Sequence, residues 1–134
     1  MIENSRTGEQ VEFLSETPEL LVMDVRWTRP GRRAVEHLHP GMEERWEVLE
    51  GRAAFRIGGP DGATIEATPG SVVTAPKGVR HLAWNPAEAP TRLRIEMRPA
   101  LRWAEFVRRF FAGDEDPMAL LAEFSEEIAL PADP

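Results

Sequence analysis

The chain has no cysteine, so disulfides and thiolate metal ligands are excluded together. It has no basic excess. Its 16 Lys and Arg stand against 23 Asp and Glu, a net charge of −7. Nucleic acid, which needs a cationic face for its phosphates, is an unsuitable partner, and so is an anionic lipid surface. No apolar run approaches the roughly 20 residues that would cross a bilayer. The opening stretch MIENSRTGEQ is polar and lacks the apolar region of a signal peptide, so cytoplasmic residence is expected. Histidine is scarce: there are three, His37, His39 and His81. With 134 residues and 42% hydrophobic content, the chain suits one soluble domain with a single core.

From about residue 10 to 98 the chain reads as short strands separated by Gly, Pro, Asn and Asp, the pattern of a sandwich or barrel. Leu21, Met23, Val25 and Trp27 alternate along one strand, and Glu44, Trp46 and Val48 along another. Ala53, Phe55 and Ile57 follow, then Ile65, Val72 and Val73, then His81, Ala83 and Asn85. Leu93, Ile95 and Met97 form the last strand. Val35, His37 and His39 are placed on one face of a further strand, because residues two apart on a strand share a face. At Pro99 the rhythm becomes helical. Leu101, Phe106 and Phe110 make one stripe ending at Gly113. Asp116 and Pro117 predict a second helix, with Asp as N-cap and Pro at the first helical position. The tail from Leu130 onward is expected to fray. The helical segment is too short to fold alone, so its apolar stripe must pack on the barrel or on a partner subunit.

The histidines fall in two blocks, GRRAVEHLHPGMEERWEVLEG over 31–51 and GSVVTAPKGVRHLAWN over 70–85. Imidazole nitrogen and carboxylate oxygen are the common ligands of zinc, iron, manganese, nickel and copper. His37 and His39 project together, Glu44 returns after a turn, and His81 arrives from a distant strand. Glu43 is the neighbouring decoy, but Glu44 is in phase with Trp46 and Val48. Three imidazoles and one carboxylate leave one or two exchangeable positions on an ion with five or six ligands. Open positions distinguish catalytic from structural metal sites.

The spacings resemble the two-part motif of the cupin superfamily. The first part is carried by Gly31, His37, His39, Glu44 and Gly51, and the second by Gly70, Pro76, Gly78, His81 and Asn85, with 18 residues between the blocks. In this respect the chain resembles small single-domain bacterial cupins of quercetinase-like type. That resemblance implies an all-β fold, a jelly-roll β-barrel over 1–98 with a short C-terminal helical appendage over 99–134 that is not an independent domain. It implies one divalent transition-metal ion (iron, manganese, nickel, copper or zinc) held by His37, His39, Glu44 and His81. It also implies a homodimer, for which the C-terminal stripe and Trp84 offer surface. Asn85 reads as a turn-bonding residue.

The apolar strand faces give a candidate pocket of Trp27, Trp46, Val48, Phe55, Ala83 and Met97. Trp27 and Trp46 are equally compatible with ordinary core. Trp103, Phe106 and Phe110 fit helix packing, or a cap on the barrel mouth. The Arg32–Arg33 pair and the Arg92, Arg94, Arg98 stripe read as solvated faces. No lysine or arginine falls in the pocket set, whereas a phosphorylated sugar or dicarboxylate would want one. The expected substrate is therefore a small neutral or aromatic molecule of enol or phenol type. The expected activity is that of a metal-dependent dioxygenase, with Glu44 serving as both ligand and proton acceptor. The alternatives are a redox-silent isomerase or cyclase, and a non-enzymatic module that binds a small molecule or the metal itself.

Overall fold

A computed structural model describes residues 1–132, with the backbone but not the side chain of Arg32. Asp133 and Pro134, the end of the expected frayed tail, lie outside the described residues. Ten strands precede two helices: β1 (Ile2–Glu3), β2 (Gln10–Glu16), β3 (Leu21–Trp27), β4 (Gly31–Arg32), β5 (Glu43–Glu50), β6 (Ala53–Ile57), β7 (Thr64–Ala67), β8 (Val72–Ala75), β9 (His81–Asn85) and β10 (Thr91–Arg98), then α1 (Trp103–Ala112) and α2 (Pro117–Glu123). One sheet has the order β1-β2-β3-β10-β5-β8 and the other β4-β9-β6-β7. All pairings are antiparallel. This is the jelly-roll arrangement, and among the described residues the two sheets stay separate rather than closing into one ring.

Alternation built the main sheet. β10 reads buried and half-buried in turn, with Leu93, Ile95 and Met97 inward. β5 does the same with Glu44, Trp46 and Val48. A strict period of two buries one face and solvates the other. The sheets meet where the Trp46 and Phe55 rings approach at 4.9 Å between centroids. Gly51 shows why the connection after β5 needs glycine. Its φ is +78°, and a Cβ there would stand 2.5 Å from the Pro90 carbonyl oxygen. Asn85 makes the turn bonds its sequence suggested: Nδ2 donates to the Ala89 carbonyl at 2.8 Å and Oδ1 accepts from the Ala87 N–H at 2.9 Å.

One expected strand is absent. The segment from Arg33 to Met42, which was to carry Val35, His37 and His39 as a regular strand, holds only two isolated bridges, His37 to His81 and Leu38 to Ala129. Pro40 has no N–H to offer a ladder, and Val35 is exposed.

The helical appendage packs on the barrel. Phe106, Val107, Phe111, Leu120, Phe124 and Ile128 join the same buried cluster as the strand residues. α1 ends at Gly113 in the left-handed conformation. α2 begins at Asp116, whose carboxylate accepts from the Met118 N–H, with Pro117 in its first turn. Leu130 is not part of a free tail, because the chain is paired to Leu38 one residue earlier and Leu130 itself lines a cavity. No helix among the described residues is long and apolar enough to cross a membrane.

Candidate metal centre and cavity

The four proposed ligands come together. Ligand atoms of His37, His39, Glu44 and His81 all lie within 4.8 Å of one another. Atoms bound at about 2.0–2.2 Å to one ion sit about 3–4 Å apart, so small rotamer changes suffice for coordination. The ring centroids are 5.0, 4.6 and 5.2 Å apart for the pairs 37–39, 37–81 and 39–81. The backbone holds this geometry. His37 and His81 exchange both N–H···O bonds, at 3.2 and 2.8 Å. The Gly78 N–H donates to the His39 carbonyl at 2.9 Å, so the Pro76–Gly78 turn pins the ligand loop directly.

Each imidazole presents Nδ1 to a main-chain carbonyl. The partners are Val35 for His37 at 2.8 Å, Glu127 for His39 at 2.8 Å and, at a longer 3.4 Å, Val79 for His81. A donor bond at Nδ1 leaves the Nε2 lone pair for the cluster, the usual orientation device of metal-binding histidines. The His81 Nε2 atom is buried without a hydrogen-bond partner, 3.4 Å from Glu44 Oε1. An orphaned buried nitrogen is costly, and a cation at this point would satisfy it. His39 Nε2 lies 2.9 Å from the same carboxylate oxygen. Burial alone would raise Glu44, but its contacts with His39 and His81 prevail and hold the carboxyl far below the usual range. Burial, then the charges of His81 and His39, lower His37 to about 4. Neutral imidazole and ionised carboxylate are the forms that bind a metal, so the residues fit a divalent ion.

His37, Glu44 and His81 open onto a cavity of about 490 Å³, within the range that encloses a small molecule. Its walls are largely apolar and include the rings of Trp27, Trp46, Trp103, Phe106 and Phe110. α1 therefore caps the barrel mouth. Trp103 also stands edge-on to His39, with centroids 4.8 Å apart, a contact with no signal in the local sequence. Of the candidate pocket residues, Trp27, Trp46 and Ala83 line this space. Val48, Phe55 and Met97 do not. They are almost wholly buried in the hydrophobic core, because an inward strand face serves the packed end of the barrel as well as its open end.

Two expectations about charge need correction. The pocket was to contain no cation, yet Arg6 and Arg33 line it. Arg33 was read with Arg32 as a solvated pair, but its guanidinium donates to the carbonyls of Gly31, Thr7 and Arg29. Glu9 lines the space as well, an acid that strand alternation did not place there. These residues sit on loops, where strand alternation carries no information. Glu9 follows Gly8, whose backbone approaches β3 so closely that a Cβ would stand 2.6 Å from Thr28 Oγ1. The Trp27 indole N–H donates to Glu9 Oε2 at 3.1 Å. Burial pushes Glu9 up to about 7, against the Trp27 hydrogen bond and the Arg33 charge, and the Glu44 charge adds to the rise.

Glu9 and His37 act on stability with opposite signs. The fold holds a proton on Glu9 up to about pH 7, whereas the unfolded chain loses it near 4.5. Its contribution therefore falls as pH rises through that window. His37 stays neutral to about 4, whereas an unfolded histidine protonates below 6.5. Its contribution is lost as pH falls from 6.5 to 4. A Glu9→Gln variant removes only the first effect. Its stability relative to the parent should grow from pH 4.5 to 7 and level off above. Urea unfolding at pH 4.5, 6 and 8 checks this, and parallel profiles would contradict it.

Comparisons agree with this architecture. A family model described as Cupin domain matches residues 28–97. The fold is similar to KdgF from a Halomonas species, with 19% identity over 74% of this chain and 87% of that one, at a TM-score of 0.64. It is similar to an RmlC-like cupin from Shewanella frigidimarina, with 23% identity over 75% and 84% of the two chains and a TM-score of 0.64. A sugar phosphate isomerase of the cupin superfamily from Silicibacter pomeroyi gives 21% identity over 68% and 59%, at 0.60. At these identities the likeness concerns the fold. A sequence search of curated proteins finds no match.

Proposed function

The chain belongs to the cupin domain family, and on that premise we propose that it is a metal-dependent enzyme of dioxygenase type acting on a small, largely apolar enol or phenol. The observation that carries this reading is one cavity wall. His37, Glu44 and His81 open onto a space otherwise lined mostly by aromatic and aliphatic side chains. A divalent ion there would supply Lewis acidity and a template for substrate and oxygen. The chain's own residues do the rest. Trp27, Trp46 and Trp103 flank a flat ring and exclude water, which strengthens every charge interaction inside. Glu44, held ionised, is the carboxylate ligand, and the same contacts that keep it ionised make it too weak a base to be the proton acceptor that was expected. Arg6 and Arg33 allow the substrate an anionic substituent, so the expectation of strict neutrality is dropped.

The test is anaerobic loading with iron, manganese, nickel or copper, followed by oxygen-uptake measurements over phenols and enols. Uptake is expected with at least one metal and should vanish in His81→Ala. Silence with every metal and both substrate classes would sink the reading.

A second reading, redox-silent isomerisation or cyclisation, is favoured by Glu9, a carboxyl near neutrality in the same cavity. Activity that persists with zinc and without oxygen would select it. Homodimer formation is also proposed, with half-buried Trp84 on the outer face of the second sheet as a contact, and sedimentation would measure it.

A further inference from the structure

The cavity contains a second ionisable centre that the metal cluster does not use. Glu9 stands just before β2, Trp27 ends β3, and Arg33 lies in the loop after β4. All three line the space onto which His37, Glu44 and His81 open. Trp27 donates its indole N–H to Glu9 Oε2, and among the described residues this is the only side-chain hydrogen bond to that carboxyl. The other oxygen, Oε1, keeps its lone pairs. Gly8 and the Thr28 hydroxyl, which donates to the Gly8 carbonyl at 2.9 Å, fix the backbone beside Glu9. The carboxyl is therefore positioned and half-bonded. Burying a carboxylate without a partner cation in direct contact costs stability, and a cost retained in a cavity is the usual mark of a functional group.

We propose that Glu9 is the acid–base residue of this cavity, moving a proton between two atoms of a carbonyl or enol substrate. This rests on the second, redox-silent reading of the cavity as a metal-assisted active site. In the forward step a substrate C–H bond next to a carbonyl breaks, and its proton bonds to Glu9 Oε1. The C–H electron pair moves into the carbonyl system and its charge comes to rest on oxygen. In the return step the Glu9 O–H bond breaks and the proton is delivered to a different substrate atom. Nothing is oxidised or reduced. Effective proton transfer at neutral pH needs a group that titrates near 7, and burial brings Glu9 there. The charged groups facing it are Arg33, on the near side, and Glu44, from the cluster. Arg6 and His37 share the cavity wall.

The probe is phenylacetone, an aromatic ketone, whose benzylic hydrogen exchange into D₂O is followed by proton NMR with the zinc-loaded protein. The parent should exchange it above the rate of free zinc in buffer, with a rate that rises through the Glu9 titration. Glu9→Gln should lose about 100-fold or more while retaining the zinc stoichiometry and circular dichroism of the parent. Glu9→Asp should recover part of the rate. Trp27→Phe should move the rising limb to higher pH, because the lost hydrogen bond favoured the ionised form.

A readout independent of turnover comes from carbon-13 carboxyl labelling. The signal that disappears in Glu9→Gln should titrate near pH 7 in the metal-free protein and shift to lower pH on adding zinc, whose charge favours the carboxylate. Parent-like exchange in Glu9→Gln, absence of exchange in the zinc-loaded parent, or a midpoint in the ordinary carboxylate range that ignores zinc would each overturn the proposal. Elemental analysis separates the two failures. A parent that holds no zinc sinks the metal centre, whereas a zinc-loaded parent indifferent to Glu9 sinks only the acid–base role of that carboxyl.

Discussion

Phe124→Ala should destabilise the protein by about 3–5 kcal/mol, the range for removing a fully enclosed aromatic side chain. Phe124 is 0% exposed. The Phe106 ring meets it edge-on at 5.4 Å, and the guanidinium groups of Arg102 and Arg109 lie over it at 4.5 and 5.4 Å. Removing the ring leaves an apolar hole and two cations without their aromatic face. For a domain of this length the melting temperature should fall by about 10–20 °C, with the urea m-value unchanged. The effect should also reach the ligands. The Phe124 carbonyl accepts from Glu127 and Ile128, and the Glu127 carbonyl accepts from His39 Nδ1. The Glu127 side chain is locked as well, by Arg102 at 3.2 Å. Loosening this segment frees the His39 ring to turn, so metal affinity should drop by about 10–100-fold, as for other lost orienting partners. A loss below about 1 kcal/mol, or affinity equal to the parent, would show that the C-terminal segment is a passive cover.

Substituting a ligand should act on the metal more than on the fold. In His81→Ala the site loses one of three imidazoles, and the remaining His37, His39 and Glu44 cannot hold a divalent ion at parent strength. The expected loss is more than 100-fold in affinity for manganese, nickel or zinc, read by titration calorimetry. It has a thermal counterpart. A ligand present at about 100 times its dissociation constant stabilises the native state by about 2.7 kcal/mol. The parent melting curve should move up on metal addition and the His81→Ala curve should stay in place. Without metal the variant is expected to be weakened less than a core truncation such as Phe124→Ala, because the removed ring carried an unsatisfied buried nitrogen, although it gives up its ring contacts with His37 at 4.6 Å, Trp46 at 5.1 Å and His39 at 5.2 Å. Equal metal-induced shifts in both proteins would place the metal elsewhere. Glu43, one residue from Glu44, is the control. It pairs across the sheet with Arg98 and is not part of the ligand cluster, so Glu43→Gln should bind as the parent does.

The ligand set was legible because its spacing is tied to local geometry. Glu44 is in phase with Trp46 and Val48, and the Pro76–Gly78 turn delivers His81 to the start of a strand. The helix ends were legible for the same reason, since Asp116 and Gly113 act within one turn of themselves. Glu9 and Arg33 were not, and for Trp103 the sequence left helix packing and a cap on the barrel mouth both open. Each reaches the cavity from outside a strand, by a path that depends on how distant segments dock. Glu9 owes its position to Thr28 and Trp27, and its titration to burial that no local pattern encodes. Val48, Phe55 and Met97 show the converse. Alternation correctly turned them inward, but it could not say whether inward meant cavity or solid core.

Period-two alternation and turn chemistry were enough to define a sandwich or barrel with a helical appendage, the resemblance to the cupin motif narrowed this to a jelly roll, and the placing of three histidines with Glu44 gave the identity of the ligand cluster. These depend on steric and hydrogen-bonding rules that operate over a few residues. Tertiary structure alone decided that the appendage caps the barrel and that the carbonyl of Glu127 orients His39 across 88 positions of chain. It alone decided that an acid near neutrality and two arginines share the cavity with the cluster. Those outcomes follow from long-range packing and from the desolvation it imposes, and both exist only once the two sheets and the helices have closed around a common interior.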